Sequence, residues 1–258
     1  MRAFLRNIFL IIFGNVIKPK PGIHIINSHF ITPFEKDNER DMHIYDRYLN
    51  YLKSFASFIT LEEATNRILS NSIPSSEVFL AFTFDDGFDE CYSIIAPLLE
   101  KYNTRGAFFI NANYVDSDKT YQQEFNKRVE TFTKKPMTWE QVKELHKRGH
   151  LIGSHNLDHS NFAELNDEDI NFQINKNKAI LEEKLGVKCD YFAWTYGQLK
   201  HFPKNALECA KEYHSHIYSD TNYKHYFSLG NTVINRRHIE PFWRKSHINY
   251  FLGVNKKK

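Results

Sequence analysis

The chain has 258 residues, 41% of them hydrophobic and 25% charged, and its 34 basic and 31 acidic side chains leave a net charge of +3. That length and makeup suit a folded chain with a sizeable core, as one barrel-sized domain or two smaller ones. The near balance of charge excludes a general electrostatic reason to bind nucleic acid, and three cysteines without close spacing (Cys91, Cys189, Cys209) exclude a CxxC metal site and a disulfide framework.

The amino terminus stands apart. In MRAFLRNIFLIIFGNVIKPK the apolar stretch from Ile8 to Ile17 is broken by Gly14 and Asn15, whereas crossing a bilayer takes about 20 apolar residues. No small-x-small cleavage site follows it. With Arg2, Arg6, Lys18 and Lys20 around it, the segment 1–20 reads either as a helix on an anionic membrane surface or as one packed on the protein's own body. Residues 21–258 carry no long linker, repeat or low-complexity run and read as one domain.

Along that domain, short apolar runs alternate with amphipathic ones. Strands are expected at 23–29, 57–60, 78–84, 106–110, 151–153, 191–194, 215–218 and 232–235. Most are continuously apolar, as in a parallel sheet covered on both faces. Helices are expected at 40–54, 61–70, 88–103 with a kink at Pro97, 138–148 and 167–184. Thr138 and Gln141 stand at capping-box spacing, and Gly149 and Gly186 serve as stops. The stretches 114–135 and 221–230 read as irregular loops. The alternation predicts an α/β fold: a distorted or incomplete (β/α) barrel of about seven or eight parallel strands, with an open doubly wound sheet as the competitor. A barrel places its chemistry at the carboxyl ends of strands.

Two strand ends carry chemistry-bearing residues. VFLAFTF runs straight into Asp85, Asp86 and Gly87, and two adjacent carboxylates need either solvent or a cation between them. After LIG come His155 and His159, which would project only ~40° apart if that segment turned as a helix. Two imidazoles and a carboxylate are a common catalytic zinc set that leaves one position open.

Here the chain resembles the polysaccharide deacetylases with a NodB-type domain, carbohydrate esterase family 4. Thr83-Phe84-Asp85-Asp86-Gly87 matches the first motif, and His155 to His159 the second, with Asn156 in place of a hydroxyl residue. Phe192-Ala193-Trp194-Thr195-Tyr196-Gly197 resembles a variant of the third. IINSHF, with His29, is similar to the first strand of such proteins, and TWEQVKELHKRGHLIGSH has the spacing into the second motif. The resemblance covers most of 23–240 and implies that Asp86, His155 and His159 hold a divalent metal, zinc by default, with Co2+, Mn2+ or Fe2+ also suiting N/O ligands. It makes Asp85 the general base and the Tyr196 backbone N–H an oxyanion donor. The general acid is a histidine on a late strand; His238 is the first candidate, with Arg237 nearby, and His214 and His216 are next. His29 and Trp194 are candidates for the substrate pocket. Where many members carry an arginine that orients the base, this chain has Ala193.

The expected function is metal-dependent removal of an N-acetyl group from an amino sugar in a glycan or its lipid-linked precursor. The alternatives are a glycan-binding domain that has lost turnover, or an enzyme for formyl or O-acetyl groups. The expected partners are a carbohydrate, no nucleic acid, and a membrane surface touched through 1–20. The uncleaved-looking terminus, its basic flanks and the unpaired cysteines favour the cytoplasm or the cytoplasmic face of a membrane, with export as the alternative.

Overall fold

A computed structural model describes residues 2–131, 133–220, 224–254 and 256–257. Strands β1 (Gly22–Ser28), β2 (Ser57–Phe58), β3 (Val78–Phe84), β4 (Ala107–Ile110), β5 (Leu151–Ser154), β6 (Tyr191–Ala193), β7 (His216–Ser219), β8 (Phe227–Ser228), β9 (Val233–Asn235) and β10 (Arg237–His238) form one sheet. Its spatial order is β10-β1-β3-β4-β5-β6-β7-β9-β8, with β2 beside β3 off that path. The ladders are parallel except β8 on β9. The sheet curls into a distorted barrel. One stretch, 233–238, draws its ends together: β9 pairs with β7, and β10 pairs with β1.

The helices are α1 (Arg2–Val16), α2 (Asn38–Lys53), α3 (Leu61–Leu69), α4 (Ala96–Lys101), α5 (Lys119–Arg128), α6 (Trp139–Lys147), α7 (Asp167–Leu185), α8 (Lys204–Tyr213) and α9 (Lys245–Leu252). The expected capping box at Thr138 and Gln141 is present, and Gly186 ends α7 in the left-handed region at φ 71°. The single helix expected over 88–103 is instead a π turn, Cys91–Ile95, followed by α4, with Pro97 in the first turn of that helix. Ile95 and Ala96 keep helical angles across the junction, so the π segment just before it, and not a helix start, accommodates the amide that Pro97 lacks. The stretch 114–135, expected to be irregular, contains α5, whose start is capped by Asp118 accepting from the Tyr121 amide. Its sequence, KTYQQEFNKR, is too polar to show an apolar stripe, and Phe125 and Asn126 are its buried residues. The stretch 221–230, also expected to be irregular, holds β8, while 221–223 lie outside the described residues.

Strand parity sorts the core. Residues 80, 82 and 84 of β3 pack outward with Leu49, Ile94 and Leu99 beneath the helices. Ile23 and Ile25, Ala81, Phe109, Ala193, Tyr218 and Ile234 face inward as one apolar cluster. Continuing each strand by two residues towards its carboxyl end brings up Asn27, Thr83, Asn111, Asp220 and Arg236, all on the same inward parity. The barrel therefore changes from an apolar plug to a polar layer at the end where chemistry was expected.

No described helix is long and apolar enough to cross a membrane. One side of α1 packs on α9, and Asn249 Nδ2 donates to the Gly14 carbonyl at 3.2 Å. Phe9, Ile12, Phe13 and Val16 remain exposed. A Cβ at Gly14 would lie 1.8 Å from the Ser246 carbonyl oxygen, so the two backbones touch there. Gly14→Ala is expected to cost about 1–3 kcal/mol by overpacking, read as a lower urea midpoint; an unchanged midpoint would mean that this contact does not hold α1 down.

Candidate active site

Asp85 leaves β3 on the inward parity and is buried. Arg236, fully buried between β9 and β10, grips it with two parallel bonds: Nη1 donates to Oδ1 at 2.8 Å and Nη2 to Oδ2 at 2.7 Å. Asn27 Nδ2 donates to Asp85 Oδ2 at 3.0 Å and to Asp220 Oδ2 at 2.8 Å. Asp220 also faces the guanidinium, with Oδ1 3.1 Å from Nε. One cation thus serves two carboxylates inside the barrel. Burial opposes ionisation of Asp85, but Arg236 and the neighbouring His155 outweigh it and hold the carboxyl well below its ordinary range.

Asp86 sits at φ 74°, and the Gly87 amide donates to the Asp85 carbonyl at 3.0 Å, closing a tight three-residue turn. Gly87 follows at φ 80°, in the region glycine enters freely. After that turn both carboxylates approach one nitrogen: Asp86 Oδ1 lies 3.6 Å and Asp85 Oδ2 3.9 Å from His155 Nε2. The histidines lie on a loop after β5, not on a helix as their spacing suggested, because Asn156 (φ 52°) and His159 (φ 56°) are left-handed. The Asn156 side chain braces that loop through the Ser160 carbonyl at 3.0 Å and Thr195 Oγ1 at 3.2 Å. His155 Nδ1 lies 2.7 Å from the Ala193 carbonyl, which accepts a hydrogen bond from the Nδ1–H and so leaves Nε2 with its lone pair free for a ligand.

The three side chains fit a divalent cation. His155 Nε2 and His159 Nε2 stand 3.6 and 3.4 Å from Asp86 Oδ1, too far for hydrogen bonds. Two ligands each about 2.1 Å from a tetrahedral ion are themselves roughly 3.4 Å apart. Asp86 Oδ1 is buried with no hydrogen-bond partner among the described residues, an arrangement costly without a cation. Burial raises the Asp86 carboxyl and drives the His159 imidazole well below its ordinary value, so His159 is neutral, as a ligand must be.

Beside this cluster lies a second one. Glu240 accepts from His29 Nδ1 at 2.8 Å and from His238 Nε2 at 2.9 Å. Burial alone would lower His29, but the bond and charge of Glu240, with Asp86 and Asp85 beyond, raise it to about 10. Glu240 is held down to about 2 against its own burial by the two imidazoles. A cleft of about 340 Å³ joins both clusters, with Tyr196 and Asp220 on its wall. α5 and the residues after it add Arg128, Val129 and Glu130, which the reading of 114–135 as loop missed.

A family model described as polysaccharide deacetylase matches residues 73–217, more than half the chain. The chain belongs to the polysaccharide deacetylase family. It is 28% identical over 140 residues to a peptidoglycan-N-acetylglucosamine deacetylase of Bacillus cereus, a match covering 54% of this chain and 42% of that protein. The chain therefore matches less than half the length of that relative. Among solved structures it is similar to the Streptococcus pyogenes deacetylase PplD (TM-score 0.69, 18% identity, covering 90% of this chain and 99% of that one). It is also similar to IcaB from Ammonifex degensii (TM-score 0.67, 20% identity, 92% and 99%). At these identities the structures show the deacetylase fold.

Within that family fold, the structure brings Asp85, Asp86, His155, His159, His29, Tyr196 and His238 to one cleft. Trp194 does not reach it: the ring is fully buried and stacks on Phe202 at 4.1 Å, so it packs the core and meets no substrate. His214 is also buried, stacked on Phe192, and burial takes it down to about 3. Arg237 turns the other way and donates to the Phe251 and Val254 carbonyls. The arginine missing at Ala193 is supplied by Arg236. Its parity with Ile234 was the one signal in the sequence.

Removing that guanidinium leaves Asp85 buried and uncompensated. Arg236→Met is expected to lose about 3–5 kcal/mol at neutral pH. Because the folded Asp85 carboxyl lies below its unfolded value, the stability it contributes is fully present above the unfolded value near ~3.8 and is lost as pH falls through the folded one. The gap between wild type and variant should therefore narrow on acidification in urea titrations; a gap constant with pH would deny the pairing.

Proposed function

We propose that the chain is a metal-dependent hydrolase that removes an N-acetyl group from an amino sugar, in a glycan or its lipid-linked precursor. The observation that carries this reading is a carboxylate fixed by two parallel arginine bonds beside a separate Asp–His–His cluster spaced for an ion. Asp86, His155 and His159 would hold the cation, zinc by default. When bound, the cation would supply Lewis acidity towards the amide carbonyl and lower the pKa of a water beside it toward ~7.

The chain's own residues do the rest. Asp85 is positioned rather than made basic: it commits three of its four acceptor sites to Arg236 and Asn27. The acceptor site left over takes the proton of the attacking water. Tyr196, at φ 62°, has no acceptor for its backbone N–H among the described residues. That amide is free to donate to the oxygen that becomes negative when the carbonyl is attacked. An amine leaves only after protonation, and the geometry favours His29 over His238 as the donor. The His29 side chain is 27% exposed, bonded to Glu240 with both aspartates near, whereas the His238 side chain is 45% exposed.

Asp85→Asn should lower acetate release by at least ~10²-fold while one equivalent of zinc still copurifies. Asp86→Ala should lose the zinc itself, measured by atomic emission. Full turnover in Asp85→Asn protein would sink the base assignment. Since burial lowers His29 but Glu240 raises it by more, an acid so raised stays active to a pH above that of an ordinary histidine. Glu240→Gln should move that alkaline limb of kcat/KM down to or below the ordinary histidine value near ~6.5. A limb that stays in place would remove His29 as the proton donor.

A further inference from the structure

A cavity of about 780 Å³ lies beside the cleft, between α1, α9 and the end of β10. It shares Asp220 and His238 with the cleft, so the two spaces meet at a common wall. Its walls include Phe9, Leu10, Trp243 and Phe251, and Arg6 and His247 bring polar atoms to it. Arg6 supplies a guanidinium to this wall, while Asp220, on the wall shared with the cleft, is already engaged by Arg236 and Asn27.

A line of rings connects the two spaces. His29 meets His238 at 5.2 Å, His238 meets Trp243 at 5.3 Å, and Trp243 meets Phe251 at 5.7 Å. Phe251 meets Tyr250 at 5.6 Å, Tyr250 meets Phe9 at 5.6 Å, and Phe9 meets Phe13 at 4.3 Å. The path starts at the proposed proton donor and ends on the side of α1 where Ile12, Phe13 and Val16 are exposed. A water-borne sugar polymer has no use for a row of rings that ends on an apolar helix face. A small sugar joined through an anionic phosphate to a hydrocarbon chain matches every part: polar cleft, cationic wall, apolar exit.

We propose that this cavity is the subsite for the hydrocarbon tail of an amphipathic sugar phosphodiester, with α1 as its outer wall and as the helix that meets the surface from which the lipid comes. This rests on the deacetylase reading of the adjoining cleft, and it narrows the substrate to a lipid-linked amino sugar. The cavity's volume falls within the range of ordinary small-ligand sites, roughly 300–1,000 Å³. The apolar body of the tail would replace water against the rings, and Arg6 would face the phosphate.

The test compares the farnesyl and methyl phosphodiesters of N-acetylglucosamine. Wild-type protein should show kcat/KM at least ~10-fold higher for the farnesyl ester, since each buried methylene is worth about 0.8 kcal/mol. Phe9 is 43% exposed, so Phe9→Asp should keep the fold, confirmed by its melting temperature, and bring the farnesyl-to-methyl ratio down at least ~10-fold. Calorimetry on Asp85→Asn protein reads binding without turnover. There the farnesyl ester should bind tighter than the methyl ester, and Arg6→Gln should weaken the phosphodiester but not a farnesyl glycoside lacking phosphate. Tail-dependent, Phe9-dependent binding with no acetate release from either ester would overturn the chemistry and leave the subsite standing. Equal turnover and equal binding of the two esters would overturn the subsite and leave the chemistry standing. A Phe9-dependent gain for N-acetylglucosamine oligomers in place of the farnesyl ester would replace the lipid with a polymer and also overturn the proposal.

Discussion

The site depends on one buried ion pair. Arg236 and Asp85 meet inside the barrel with two parallel hydrogen bonds, and neither side chain has access to bulk water. Taking both ions out of water is expensive, and the fold offsets that through their mutual attraction and the hydrogen bonds around them. Asn27 and Asp220 finish the network, and Thr83 Oγ1, 3.2 Å from Arg236 Nη1, accepts a further bond. The bidentate fork fixes the plane of the Asp85 carboxylate. Orientation at that position is what a base beside an ion requires.

The cation cluster is assembled by backbone conformations that most residues avoid. Asp86, Asn156, His159 and Tyr196 all have positive φ, and all four lie at or beside the cleft. Each such residue costs of order 1–3 kcal/mol, tolerated only where surrounding contacts dictate it. Those contacts are visible: the Gly87 amide on the Asp85 carbonyl, the Asn156 amide on Ser160, and Asn111 Nδ2 reaching the His155 and Asn156 carbonyls. Asn156, placed where the family motif has a hydroxyl residue, keeps the loop's internal bonding while tolerating the left-handed region, which asparagine enters more readily than serine or threonine.

The amino-terminal segment ties the site to its surroundings. α1 touches α9 backbone to backbone at Gly14, and α9 in turn supplies two of the rings that run from the cleft to Phe9. The two sides of α1 differ. One side packs on the domain, and the other leaves Ile12, Phe13 and Val16 exposed.

Most of the sheet was legible in the residues, because parallel strands buried on both faces must be continuously apolar: β1, β3, β4, β6 and β7 stand close to where those runs placed them. The Asp-Asp-Gly turn and the histidine pair were legible as well, since few other constraints put such groups at buried strand ends. The short strands β8 and β10 and the polar helix α5 were not, because two or three residues have no periodicity and KTYQQEFNKR has no stripe. Three matters were decided only in three dimensions. Arg236 became the partner of Asp85, for which the sequence had offered no residue, while Arg237, read as a neighbour of His238, faces the other way, since a one-residue step along a strand turns a side chain to the opposite face. His29, read as a pocket residue, came to share Glu240 with His238 because β1 and β10 are neighbours in the sheet though far apart in the chain. Trp194 went to the core for the same reason of parity, its neighbour Ala193 facing the barrel interior. A linear string can declare which groups are present, but charge pairing across a closed sheet is set by register, and register exists only once the strands have met.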